Sequence, residues 1–205
     1  PPSPEIQAMF GYIDYVKSRV TGMRGNFEQA IQLGQRAQAN TPPDNQGLLG
    51  GIGVILGYAY FLNGDFHQAI QMLQETIDTG KKTSAINTTI GAYCVLARLY
   101  AIQGHLHKSH RLYQEAERFI QQSQGDLRGA MSIVDVGYAE ILYEWNRLEE
   151  AATHIHMGLD FLPRWAKADD FALAYAIQSQ IQLAQGEFSP AQKTVKKACN
   201  VISTS

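Results

Sequence analysis

The side chains able to do chemistry are few, and most of them stand alone. His105, His107 and His110 crowd one stretch. His107 and His110, three apart, would share a helix face, and two imidazoles so placed can ligate zinc. No carboxylate or cysteine stands at ligand spacing to complete that set, so a solvated helix start is expected and no metal. His154 and His156 fall on different faces of their helix and read the same way. Cys94 and Cys199 lie on separate predicted helices, as buried thiols of a cytoplasmic protein would. No local signature assembles a nucleophile, a base and an orienting acid. The phosphate loop Gly-x-x-x-x-Gly-Lys-Ser/Thr is absent, and Gly51-Ile52-Gly53 is no dinucleotide fingerprint, because no strand precedes it and the third glycine is misplaced. Neither an enzyme nor a cofactor is expected. What remains is recognition by aromatic and charged side chains. Tyr15, Arg19, Tyr58, Phe61, Arg98, Glu140, Tyr143, Glu144 and Gln180 are of the types that hold a polar ligand with flat faces, such as a sugar, or a peptide.

The elements that must position them come in repeats. From Val136 to Gly158 the sequence reads as two amphipathic helices joined at Asn146. Tyr138, Leu142 and Trp145 form the stripe of the first, and Leu148, Ala151 and Ile155 that of the second. Glu149, Glu150 and His154 are left outside. So short a joint makes the helices antiparallel, and the pair needs neighbours to hide its remaining apolar face. The same joint recurs at Gly25, Gly64, Gly104 and Gly186. Each time a polar residue, a Phe or Leu and two mostly polar residues follow, and then a small residue: Ala30, Ala69, Ser109, Ala151 or Ala191. The spacing of roughly forty residues is that of helical solenoids. Gly or Asn permits the left-handed turn, the Phe or Leu is expected to plug the hairpin, and the small residue lets two backbones approach.

These slots resemble a tetratricopeptide repeat, most closely in Leu56, Gly57, Tyr60, Gly64, Ala69 and Leu73. Ser109 and Asn146 depart from the pattern but keep the size or the backbone permission. The expected fold is all-α, a right-handed α-solenoid of five helix pairs at about residues 6–40, 47–79, 84–124, 128–162 and 168–201, forming one domain. The breaks fall at Thr41-Pro42-Pro43-Asp44-Asn45, at Gly80-Lys81-Lys82-Thr83-Ser84, at Gln124-Gly125-Asp126 and near Leu162-Pro163-Arg164-Trp165. In such a stack the first helix of each unit lines the concave wall. The resemblance therefore sets Arg19, Tyr58, Arg98, Glu140 and Gln180 in one row, with Tyr15, Phe61, Tyr143 and Glu144 on neighbouring turns. The plainer alternative is that Arg98 and Glu140 pair across adjacent repeats and the tyrosines fill grooves. The Lys and Asn pattern by which some such domains clamp a peptide carboxylate is absent.

Composition agrees with a folded, non-nucleic-acid-binding protein: 45% hydrophobic, 18% charged, net charge −2, with no basic run. Residues 45–64 carry no charge and could span a bilayer by length. Their glycines and the joint at Gly64 point instead to close helix packing, so no membrane role is expected. Pro1-Pro2-Ser3-Pro4 reads as a cut edge of a longer chain. The C-terminal helix, with Ala191, Val195, Ala198 and Val201 as its stripe and Lys193, Lys196 and Lys197 outside, is expected to support weak self-association.

A narrower resemblance rests on Gly137–Ala152, on Arg24-Gly25-Asn26-Phe27-Glu28-Gln29-Ala30-Ile31, on Leu56-Gly57-Tyr58-Ala59-Tyr60 and on Gln182-Leu183-Ala184-Gln185-Gly186. These runs and the forty-residue period resemble the repeat region of MalT-type, LuxR-family transcriptional regulators. In that family a nucleotide-switch ATPase precedes the repeats and a LuxR-type DNA-binding domain follows them. The resemblance implies a non-catalytic sensor whose effector is a small molecule, a sugar among the known kinds, or a protein or peptide. A stand-alone tetratricopeptide interaction scaffold is the alternative.

Overall fold

The computed structural model describes residues 3–162 and 168–203, and among these it holds ten α-helices and no strand. They are α1 (Pro4–Met23), α2 (Phe27–Asn40), α3 (Gln46–Leu62), α4 (Phe66–Thr83), α5 (Ile86–Ile102), α6 (Leu106–Gln122), α7 (Arg128–Glu144), α8 (Leu148–Phe161), α9 (Ala168–Ala184) and α10 (Phe188–Ser203). The expected end of the fourth unit at Pro163–Trp165 lies outside the described residues, as do Pro1 and Pro2. The chain divides into two compact units, residues 1–99 and 100–205, with the last turn of α5 in the second.

All five joints take the same form. Gly25, Gly64, Gly104 and Gly186 have φ of 78° to 84°, and Asn146 has φ 57°. Beyond each, an amide N–H reaches back five residues: Asp65 to the Tyr60 carbonyl at 2.9 Å, Arg147 to Leu142 at 2.8 Å, Glu187 to Gln182 at 2.8 Å. This bond satisfies a carbonyl that the helix end would otherwise orphan. Asn26 and Asp65 then cap the next helix by accepting from the Gln29 and Gln68 amides at 3.2 and 3.1 Å. The small slot lies between the two helices: Ala30, Ala69, Ser109, Ala151 and Ala191 are all buried. The Phe or Leu slot does not act as a plug. It is the first helical residue, at the turn end of the hairpin, where Phe27, Leu106 and Leu148 are half-buried, Phe66 is exposed and Phe188 is 71% exposed.

In the first unit, Ser18 donates to the Ala30 carbonyl at 2.7 Å, and the buried Asp14 carboxylate meets Arg36 at 3.1 Å, tying α1 to α2. Helix α2 stops at Asn40, where Thr41 turns extended ahead of the two prolines. The uncharged stretch is α3, held inside: a methyl group on Gly57 would overlap Leu73 of α4, and one on Gly53 would overlap Thr76. No helix among the described residues is long and apolar enough to cross a membrane. The connection expected at residues 80–84 is helical as far as Thr83, and the chain reverses at Ser84 with φ 55°. Gly80 serves close approach instead of a turn, since Thr89 lies against its backbone.

In the second unit α7 packs on α6, α8 and α9, and it is buried along most of its length. On α10 the inward residues are Ala191 and Thr194, with Ala198 and Val201 half-buried, whereas Val195 is exposed. The expected stripe through Val195 is therefore corrected: steps of three and four from Ala191 lead through Thr194, because the helix is seated one position round from that reading.

Candidate binding surfaces

The surface row divides between the two units. In the first, Tyr58 and Phe61 lie on successive turns of α3 with ring centroids 6.1 Å apart, and Phe61 continues to Phe66 at the same distance. The three rings form an aromatic run, with Tyr58 and Phe66 exposed. Tyr15 is half-buried, its ring lying against Gly51 of α3, where a larger residue would displace it. Arg19 is exposed on α1. Arg98 is half-buried, and its Nε is sealed from solvent with no hydrogen-bond partner among the described residues. An orphaned donor of this kind costs on the order of 1–3 kcal/mol.

In the second unit Glu140 and Tyr143 are half-buried on one turn of α7, and Glu144 and Gln180 are exposed. Glu140 is already engaged in an interaction. Neither of two hollows in this unit is lined by these four residues. One, of about 420 Å³, opens at the start of α6 among Tyr100, His105, His107, Lys108 and Arg111, with the Lys108 Nζ 3.9 Å above the Tyr100 ring. The other, of about 210 Å³, lies between α8 and α9 beside Glu149, His156, Gln178 and Gln182.

The tightest polar cluster is one that the sequence reading dispersed. Asp135, buried on α7, accepts a hydrogen bond of 2.9 Å from His154 Nδ1 on α8. With a carboxylate on that side, Nδ1 must carry the hydrogen. The His154 ring also lies against Tyr138, so this histidine is not left outside: its imidazole is long enough to reach back over the partner helix. Tyr138 donates to Glu117 Oε2 at 3.2 Å, and burial first, the Glu117 charge second, hold its hydroxyl protonated. His110 stands edge-on to Tyr138 and against Trp145, and exposed His107 also touches Trp145. The expected solvated histidine start is thus an aromatic contact with α7. The signal available was Asp135, a lone acid within the apolar run Ile133–Gly137. Among the described residues no group of His, Cys, Asp and Glu could hold a metal. Neither cysteine is in a disulfide; Cys94 is half-buried and Cys199 exposed on α10, against the expectation of two buried thiols.

Burial lowers the pKa of His110, with help from nearby Arg147 and His107. The unfolded chain therefore takes up a proton here more readily than the folded one. His110 adds stability above its unfolded pKa of about 6.5, and this is lost as pH falls through the lower folded value. Thermal melts from pH 7.5 to 5 should show His110→Gln less acid-sensitive than the parent; equal pH slopes would contradict this packing.

Chemically, these surfaces present aromatic and charged side chains that can bind and orient a ligand on a helical-repeat scaffold. The chain belongs to the MalT-like TPR region family, whose profile matches residues 11–205. No curated protein matches the sequence. Solved structures share its fold. BtubC (BKLC) from P. vanneervenii is 15% identical, with 100% of this chain and 92% of that one covered, at a TM-score of 0.64. NprR in complex with its cognate peptide NprX is 14% identical at a TM-score of 0.73, with 97% of this chain aligned to 56% of that one. A Podosopora anserina structure of nearly identical TPR-like repeats is 14% identical, with 97% of each chain covered, at a TM-score of 0.59.

Proposed function

We propose that residues 1–205 form one repeat region that senses an effector or partner for a MalT-type, LuxR-family transcriptional regulator. It works in the cytoplasm, without catalysis and without touching nucleic acid itself. The match of the MalT-like profile over residues 11–205 carries this reading. The first unit offers Tyr58 and Phe61 for stacking, the half-buried Arg98 side chain for its charge, and Tyr15 and Arg19 alongside. The second offers Glu140, Tyr143, Glu144 and Gln180. A peptide is favoured over a sugar as ligand, because the NprR structure of this fold carries its cognate peptide.

The test is a thermal-shift screen of the 205-residue protein against peptide, sugar and nucleotide sets, with calorimetric titration of any hit. Tyr58→Ala and Arg98→Ala should each weaken that ligand about tenfold or more, since a charged hydrogen bond contributes on the order of 1–3 kcal/mol. Tyr143→Ala should weaken a ligand of the second unit to a similar degree. Parental affinity in all three variants would remove these surfaces from the function. A sugar hit with no peptide hit would replace the peptide reading.

A further inference from the structure

The hollow between α8 and α9 is open because two side chains that close the equivalent groove of the first unit are replaced by shorter ones. Counted from the joints, Ala152 holds the place of Ile31, six residues past the turn, and Gln182 holds that of Tyr60, four residues before the next turn. Between α2 and α3, Ile31 and Tyr60 both pack on the core of Ala37, Ile52 and Leu56, and Gln35 donates to the Tyr60 hydroxyl at 2.9 Å. Between α8 and α9 a space of about 210 Å³ remains, over the buried Ile155 and Ile181.

Loss of volume alone would leave an apolar gap, but this one has a polar rim already held in place. Thr194, buried on α10, donates to Gln182 Oε1 at 2.9 Å, which leaves the Gln182 amide N–H groups to donate elsewhere. Gln185 Nε2 on α9 donates to Glu149 Oε1 on α8 at 3.2 Å, which leaves Gln185 Oε1 and the second Glu149 oxygen as acceptors. Glu187 adds another carboxylate, and among the described residues no Lys or Arg lines the hollow. Negative charge and acceptors at the rim, with an apolar floor beneath, suit a guest with an aliphatic stem and a cationic head.

We infer that this hollow receives an arginine side chain of a bound peptide. Its methylene stem lies over Ile155 and Ile181, and its guanidinium donates to Glu149, Glu187 and Gln185 Oε1. The Gln182 amide donates to the adjoining peptide carbonyl. Arginine fits better than lysine because its planar fork spreads five donors over acceptors on three side chains, whereas an ammonium is a single point. The inference rests on the peptide reading above for the source of the arginine, and on the hollow alone for its chemistry.

The probe is N-acetyl-arginine amide, with the citrulline compound as its uncharged isostere. Methyl NMR of the 205-residue protein, with the two signals assigned through Ile155→Val and Ile181→Val, should show both methyls shifting as the arginine compound is added. The citrulline compound should bind about tenfold more weakly or worse, the loss of a charged hydrogen bond. Glu149→Gln keeps an acceptor for Gln185 but removes the charge, and should weaken the arginine compound about fivefold or more. Ala152→Ile restores the side chain of the filled groove, and should abolish the shifts while melting no lower than the parent. If Ala152→Ile fails to fold, Glu149→Gln still decides. Unmoved Ile155 and Ile181 methyls, equal affinity for the citrulline compound, or parental affinity in both variants would overturn the inference. Shifts with the arginine compound beside an empty peptide screen would uphold the chemistry of the hollow and count against the peptide reading instead.

Discussion

Gly137→Ala is expected to destabilise the second unit by about 2–3 kcal/mol, although alanine is the better helix former by about 1 kcal/mol. A methyl group at Gly137 would overlap the Tyr113 ring of α6. That ring is almost wholly buried, and it is tilted against Tyr138 with centroids 5.7 Å apart. Tyr138 in turn is fixed by Glu117 and His154, so the ring has nowhere to turn and helices α6 and α7 must separate. At about 2–4 °C per kcal/mol for a chain of this size, the melting temperature should fall by several degrees. Tyr113→Leu trims the overlapping atoms. The double variant should therefore be less destabilised than the sum of the two singles, a coupling that distant sites do not show. A Gly137→Ala protein that melts at or above the parental temperature would mean that α6 and α7 lie farther apart than described.

His154→Ala is expected to cost about 2–3 kcal/mol, somewhat less than the 3–5 kcal/mol typical of a fully buried ion pair, because the imidazole is partly solvated. Its removal strands the Asp135 carboxylate, which is buried on α7 with His154 as its hydrogen-bond partner. Most of the penalty belongs to the carboxylate left behind and not to the lost contact. The double variant Asp135→Leu, His154→Leu should thus recover most of the loss, since apolar groups of similar size often replace such a pair at little cost. Urea unfolding of the single and double variants separates the possibilities. If the double variant is as unstable as His154→Ala alone, the two side chains do not act as a pair. Ligand binding by the first unit should be untouched in either protein, because Tyr58 and Arg98 belong to residues 1–99.

The fold was legible because its marks are local. A left-handed turn admits Gly or Asn and rejects most other residues, so Gly25, Gly64, Gly104, Asn146 and Gly186 announce their joints whatever surrounds them. Pro42 and Pro43 end α2 by the same kind of backbone constraint. The small slot was legible too, because two helices meeting four residues past a tight turn leave no room for more than Ala or Ser. Ser84 shows the limit of such reading. It takes φ 55° without being glycine, while nearby Gly80 stays helical. A glycine permits a turn without requiring one, and here a neighbouring threonine uses the space.

The candidate surfaces were legible only as residue types. Tyr58 and Phe61 come together as their spacing on one helix implies. That Tyr15 packs on Gly51, that Arg98 Nε is sealed off and that His154 bonds to Asp135 depend on partners far away in sequence. The sequence by itself determined the five joints, how many helix pairs there are and which family they belong to. Those features follow from backbone dihedrals and short-range spacing. Tertiary structure alone decided which side chains are covered, because burial is a property of what lies opposite. Ile13 and Ile52 hold equivalent places in equivalent helices, and only the presence or absence of a neighbour makes one of them core and the other surface.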